Sequence, residues 1–98
     1  MAKRVEIPYG LQISGDCHYL EENEAEVRVM MTMLEGIVED RPFAEIAAGL
    51  NERGMRMRNG QRWSQTAVFQ MLPRLVEYSP EVFARPEWTG RRKVLRIA

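Results

Sequence analysis

Apolar side chains recur three and four residues apart in three stretches of this chain, and each repeat predicts one helix. Val27, Met30, Met31, Leu34, Ile37 and Val38 form the first stripe, which fits one face of a helix running to about Gly36 or Glu39. Asn23 followed by Glu26 has the spacing of a capping box. Glu21, Glu22, Glu24 and Glu26 place negative charge at the positive end of the helix dipole, so this cluster reads as a solvated helix start rather than paired catalytic carboxylates. Phe43, Ile46, Ala47 and Leu50 form the second stripe; Asp40-Arg41-Pro42 offers a cap and a first-turn proline, and Gly54 a left-handed stop. Ala67, Val68, Met71, Leu72 and Leu75 form the third, with Ser64 as its cap and Trp63 placed to staple onto Val68. Pro73 is expected to limit or bend this helix, because proline lacks the amide donor and crowds the preceding turn.

Between and around these stripes the pattern changes. From Val5 to Leu20, Pro8, Gly10 and Ser14-Gly15-Asp16 interrupt short runs with Val, Ile and Tyr. That composition fits a small hairpin turning at Gly15-Asp16, and an extended arm packed on the helices fits the same residues. Met55 to Trp63 alternates apolar and basic residues before Asn59-Gly60, which predicts a tiny β-ribbon. A strict two-residue turn would put Trp63 on the arginine side, so Trp63 leaves the ribbon or the register slips. After Ser79-Pro80 the pattern allows a short turn of helix through Val82 and Phe83, then Trp88 and the basic tail Arg91-Arg92-Lys93. The expected fold is mainly α: a three-helix helix-turn-helix variant with a short N-terminal β-hairpin or arm and a small β-ribbon between helices two and three. It forms one domain over residues 1–98, with a core at about 7–75 and a C-terminal extension at 80–98.

Charge sharpens this picture. The chain has 98 residues and a formal net charge of zero, which excludes a uniformly basic coat and an acidic disordered chain. Yet residues 1–40 carry three basic and nine acidic side chains, a net of −6, and residues 41–98 carry eleven and five, a net of +6. From Arg53 to Arg74 there are five arginines, at 53, 56, 58, 62 and 74, and no acid. Such local cation density suits phosphates, and each guanidinium fork also fits the acceptor edge of guanine. Twelve arginines against two lysines is also a bias that genomic base composition can produce, in which case the segment is only a solvated face. On the third helix Gln65, Thr66, Phe69, Gln70 and Arg74 are outward candidates; Gln65 and Gln70 could read adenine and Arg74 a phosphate. Phe69 fits thymine methyls, the core or a dimer contact.

The residues Pro8-Tyr9-Gly10, Leu34-Glu35-Gly36, Glu45-Ile46-Ala47, Leu50-Asn51-Glu52-Arg53-Gly54, Gly60, Arg62-Trp63-Ser64, Thr66, Val68 and Leu72 together resemble the DNA-binding recombinase domain that follows the catalytic domain in large serine recombinases. The resemblance covers about residues 7–75. It implies a mostly helical domain that binds duplex DNA, with Arg62, Ser64 and Thr66 at matching positions near the groove. The chain departs from the family at Phe69-Gln70, where basic residues are usual, and at Pro73-Arg74-Leu75, where an Asn-Pro ending is usual. The resolvase-like catalytic domain and its serine nucleophile are not among these residues, so the expectation is a non-enzymatic recognition module, a regulator or an accessory factor. The candidate DNA-binding set is Arg53, Arg56, Arg58, Arg62, Ser64, Gln65, Thr66, Gln70 and Arg74. The alternative is a protein-interaction or dimerisation module built on the same domain.

Other chemistry finds little support. Cys17 and His18 are neighbours that an extended strand would point apart, and they are too few for a structural zinc site. Neither a phosphate-cradling glycine loop nor a serine with a histidine base occurs, so no catalytic residue, cofactor, metal or small-molecule substrate is expected. The lone cysteine and the lack of any run near ~20 apolar residues lead to the expectation of a soluble, cytoplasmic protein.

Overall fold

The computed structural model describes residues 7–84. It holds a two-stranded hairpin, β1 (Leu11–Ile13) and β2 (Leu20–Glu22), followed by α1 (Glu24–Val38), α2 (Phe43–Glu52), α3 (Gln65–Gln70) and α4 (Leu72–Phe83). The expected tail Arg91-Arg92-Lys93 and Trp88 lie outside the described residues. The mainly helical fold with an N-terminal hairpin is as the sequence predicts. The strands are antiparallel, with Leu11 opposite Glu22 and Ile13 opposite Leu20. The connection is longer than a turn at Gly15-Asp16: the Ser14 hydroxyl donates to Asp16, and Cys17 closes the loop in the left-handed region at φ 64°.

α1 starts where expected, with the Asn23 side chain accepting from the Glu26 amide at 3.1 Å. The second half of the capping box is not made. Glu26 turns away to the Gly10 amide, 2.8 Å, and the Asn23 amide donates to the Gly10 carbonyl, 2.8 Å. Gly10 sits at φ 103°, a left-handed backbone conformation that residues with a side chain rarely adopt, so the position favours glycine.

Asp40 does not cap α2. It adopts φ 62° and closes α1, its amide donating to Ile37 and that of Arg41 to Gly36, each at 2.9 Å. This is the Schellman pattern, which a short polar side chain tolerates without glycine; Pro42 then leads into α2 without a side-chain cap bond. Gly54, at φ 77°, ends α2 as expected, with its amide on Asn51 and that of Met55 on Leu50, both at 3.0 Å.

The expected ribbon contracts to a turn. Met57 N–H donates to Gln61 at 2.8 Å and Gly60 N–H to Met57 at 2.8 Å, with Gly60 at φ 88°. This is the three-residue loop ending in a left-handed glycine. The register therefore shifts by one and aligns Trp63 with Met55 instead of with Arg56, and Trp63 is 5% exposed in the core.

The third stripe is divided. Ser64 caps α3 by accepting from Ala67 at 3.1 Å, and the chain breaks at Met71. Pro73 sits in the first turn of α4, where its missing donor would have served Phe69, so the two helices separate there. α4 then runs through Pro80 to Phe83, longer than the short turn expected beyond Ser79-Pro80. Ser79 Oγ donates to the Val76 carbonyl at 3.1 Å, which compensates the acceptor that Pro80 cannot serve.

The core joins Met30, Met33 and Leu34 of α1 to Ile46 and Leu50 of α2, Trp63, Val68 of α3, and Leu75 and Tyr78 of α4. α1 and α2 approach closely at Gly36, where a Cβ would lie 2.8 Å from Ile46 Cγ1. No helix among the described residues is long and apolar enough to cross a membrane.

Candidate nucleic-acid interface

Two side-chain clamps build the segment that leads into α3. The first is Asn51 in the last turn of α2. Its Nδ2 donates to the Trp63 carbonyl at 2.9 Å and its Oδ1 accepts from the Trp63 amide at 2.8 Å. One carboxamide thus satisfies both main-chain groups of Trp63, as a neighbouring strand would, and fixes the end of α2 beside the start of α3. The second clamp is Glu26 with Arg58. The guanidinium meets both carboxylate oxygens, Nε to Oε2 at 2.8 Å and Nη2 to Oε1 at 2.7 Å. It also donates to the carbonyls of Ile7, Pro8 and Leu11 at 2.7, 3.1 and 3.3 Å. Arg58 further covers the Tyr9 ring, 5.4 Å from its centroid, and Tyr9 meets Trp63 edge-on.

Burial alone would raise the Glu26 pKa, but the Arg58 hydrogen bonds and the Gly10 amide overcome it and hold the carboxyl below its ordinary value. The Glu26 hydrogen bond raises the Arg58 pKa in turn, against partial desolvation. Burial, then the Glu26 charge, push the Tyr9 hydroxyl up to about 12, with Arg58 opposing them.

The nine candidate residues therefore separate. Arg53 and Arg62 are exposed. Arg56 is exposed as well and, among the described residues, donates to the carbonyls of Asn51 and Met55, at 3.3 and 3.0 Å. Gln65, Thr66 and Gln70 lie on the exposed face of α3, and Ser64 is its cap. Arg58 and Arg74 are committed to internal partners. Arg74 donates to the Tyr9 carbonyl at 2.8 Å and to Glu77 at 2.9 Å, packs over the Tyr78 ring, and keeps only 17% of its side chain exposed. The acid-free stretch thus finds its carboxylates elsewhere in the chain.

Asn51 carried no sequence signal as a clamp. Glu26 did: it continues the buried line of Met30 and Met33 one turn earlier, and a charged residue in such a line needs a partner. Among the described residues no group of three or more His, Cys, Asp or Glu could hold a metal ion.

A mainly helical domain of this kind, with an N-terminal hairpin and a short capped helix braced by the end of the helix before it, has a counterpart among known families. The model of the Recombinase family matches residues 22–76, and the chain belongs to that family. The match spans α1 through the first turn of α4 and both clamps, though not the N-terminal arm, residues 7–11, that Arg58 holds. No curated protein and no solved structure matches the chain.

Proposed function

We propose that this recombinase-related domain binds duplex DNA through the surface formed by the end of α2, the turn 57–61 and α3, in the manner of a helix-turn-helix protein. α3 enters the major groove. Gln65, Thr66 and Gln70 address base edges, while Arg53, Arg56 and Arg62 lie along phosphates. Arg58 and Arg74 support this surface from behind rather than touching DNA. The observation that carries the reading is this separation: three guanidinium groups and three neutral hydrogen-bonding side chains stay exposed around one clamped junction. Such a surface fits a polyanion with readable edges. A module of this kind suits a regulator or accessory factor working on cytoplasmic DNA, without chemistry of its own.

Fluorescence anisotropy with a random-sequence duplex, followed over a range of salt, tests the reading. Binding at low salt that weakens linearly in log-log form is expected, with a slope near −3 for about three phosphate contacts. Absence of binding at low salt, or binding indifferent to salt, would reject it.

A further inference from the structure

Phe69 is 59% exposed in the last turn of α3, a helix whose other face carries the buried Ala67 and Val68. With about 100° between successive residues, Gln65, Phe69, Thr66 and Gln70 follow one another around one arc of α3, and Ala67 and Val68 fall on the opposite one. The observed burial agrees: Ala67 is 7% and Val68 0% exposed, whereas the other four are exposed. Phe69 therefore stands near the centre of the outward arc, between Gln65 and Thr66. Its ring is supported on one side by Phe43 at the start of α2, with centroids 6.1 Å apart and planes inclined by 52°. The side chain is held in place there, not tucked into the core.

We propose that Phe69 is a specificity-determining residue that reads the C5-methyl group of thymine in the major groove. This rests on the DNA-binding reading above and deepens it. In the major groove the base edges offer donors, acceptors and one kind of apolar group, the thymine methyl. Gln65 and Thr66 flank Phe69 on the outward arc of α3, and Arg62 lies just before α3 in sequence. A second protein surface matched to Phe69 would have to satisfy or bury these polar groups. A duplex satisfies all of them: base edges for Gln65 and Gln70, phosphates for the arginines, and a methyl for the ring.

The test starts from duplexes selected by the wild-type protein out of a random pool at low salt. Each thymine of the selected site is replaced in turn by deoxyuridine, which removes the methyl and keeps the base pairing. Loss of about fourfold in affinity is expected at one or two thymines, the value of one buried methyl-sized group. Phe69→Ala should bind the thymine site more weakly and no longer distinguish it from the deoxyuridine site, whereas Gln65→Ala should keep the distinction. Because Phe69 is exposed, Phe69→Ala is expected to melt like the wild type.

If the selected site binds but no thymine-to-deoxyuridine change matters, or if the distinction survives in Phe69→Ala, the proposal is overturned and DNA binding stands. A selection without sequence preference overturns it equally. Concentration-dependent self-association that Phe69→Ala abolishes, with unchanged DNA affinity, would assign the ring to a second copy of the chain instead. Absence of binding to any duplex removes the underlying reading first.

Discussion

Glu26 and Arg58, thirty-two residues apart in sequence, meet through two parallel hydrogen bonds of 2.7 and 2.8 Å, and Glu26 is 9% exposed. Removing one member of a fully buried pair costs ~3–5 kcal/mol. Arg58 keeps 45% of its side chain exposed, so Glu26→Gln is expected to lose about 2 kcal/mol. Arg58→Ala should lose more, since it also strips donors from three carbonyls of the arm and leaves Glu26 charged. Urea denaturation of the two variants checks both the loss and its order.

The same pair sets an acid dependence. Glu26 ionises more readily in the folded chain than at its ordinary value of 4.5. Its contribution is therefore complete above that value and is lost as pH falls through the lower, folded-state one. Comparing urea midpoints at neutral pH and near pH 3 should show a larger drop for the wild type than for Glu26→Gln. Equal drops would mean that the pair does not govern acid stability.

Asn51 makes a comparably local prediction. Asn51→Ala leaves the amide and carbonyl of Trp63 without their partner and should cost about 1–3 kcal/mol. Asn51→Asp keeps the acceptor for the Trp63 amide but turns a second acceptor toward the Trp63 carbonyl, so it should not rescue the fold. Thermal melts followed by tryptophan fluorescence report on both variants, because Trp63 is the side chain whose backbone is released.

The arginines should divide by phenotype. Arg56→Ala or Arg62→Ala is expected to lower the log-salt slope of duplex binding by about one and leave the melting temperature nearly unchanged. Arg74→Ala should lower the melting temperature through loss of its bond to Tyr9 and leave the slope intact. A changed slope in Arg74→Ala would contradict its internal role.

Much of the helical framework is legible in the sequence because it depends on local rules. The stripes of α1 and α2, the Asn23 and Ser64 caps and the Gly54 stop need only spacing and a capping residue. The features that differ depend on which of several competing partners a group finds, near or distant in the chain. Asp40 closes α1 instead of capping α2 because its backbone finds Ile37. Glu26 abandons the capping box because Arg58 and Gly10 offer a better arrangement. For the candidate site, counting arginines singled out the segment 53–74 but could not tell which of them were already engaged. Arg58 and Arg74 look identical to Arg56 and Arg62 until Glu26, Glu77 and the carbonyls of the arm are brought beside them.

Apart from the stacking of Arg58 on the Tyr9 ring, Arg58 and Arg74 hold residues 7–11 through the main-chain oxygens of Ile7, Pro8, Tyr9 and Leu11. That attachment is blind to what Ile7 or Leu11 carries as a side chain, since any residue presents the same oxygen. The two guanidinium groups therefore moor this segment by its backbone, and the hydrogen bonds alone place no demand on the side chains at positions 7 and 11.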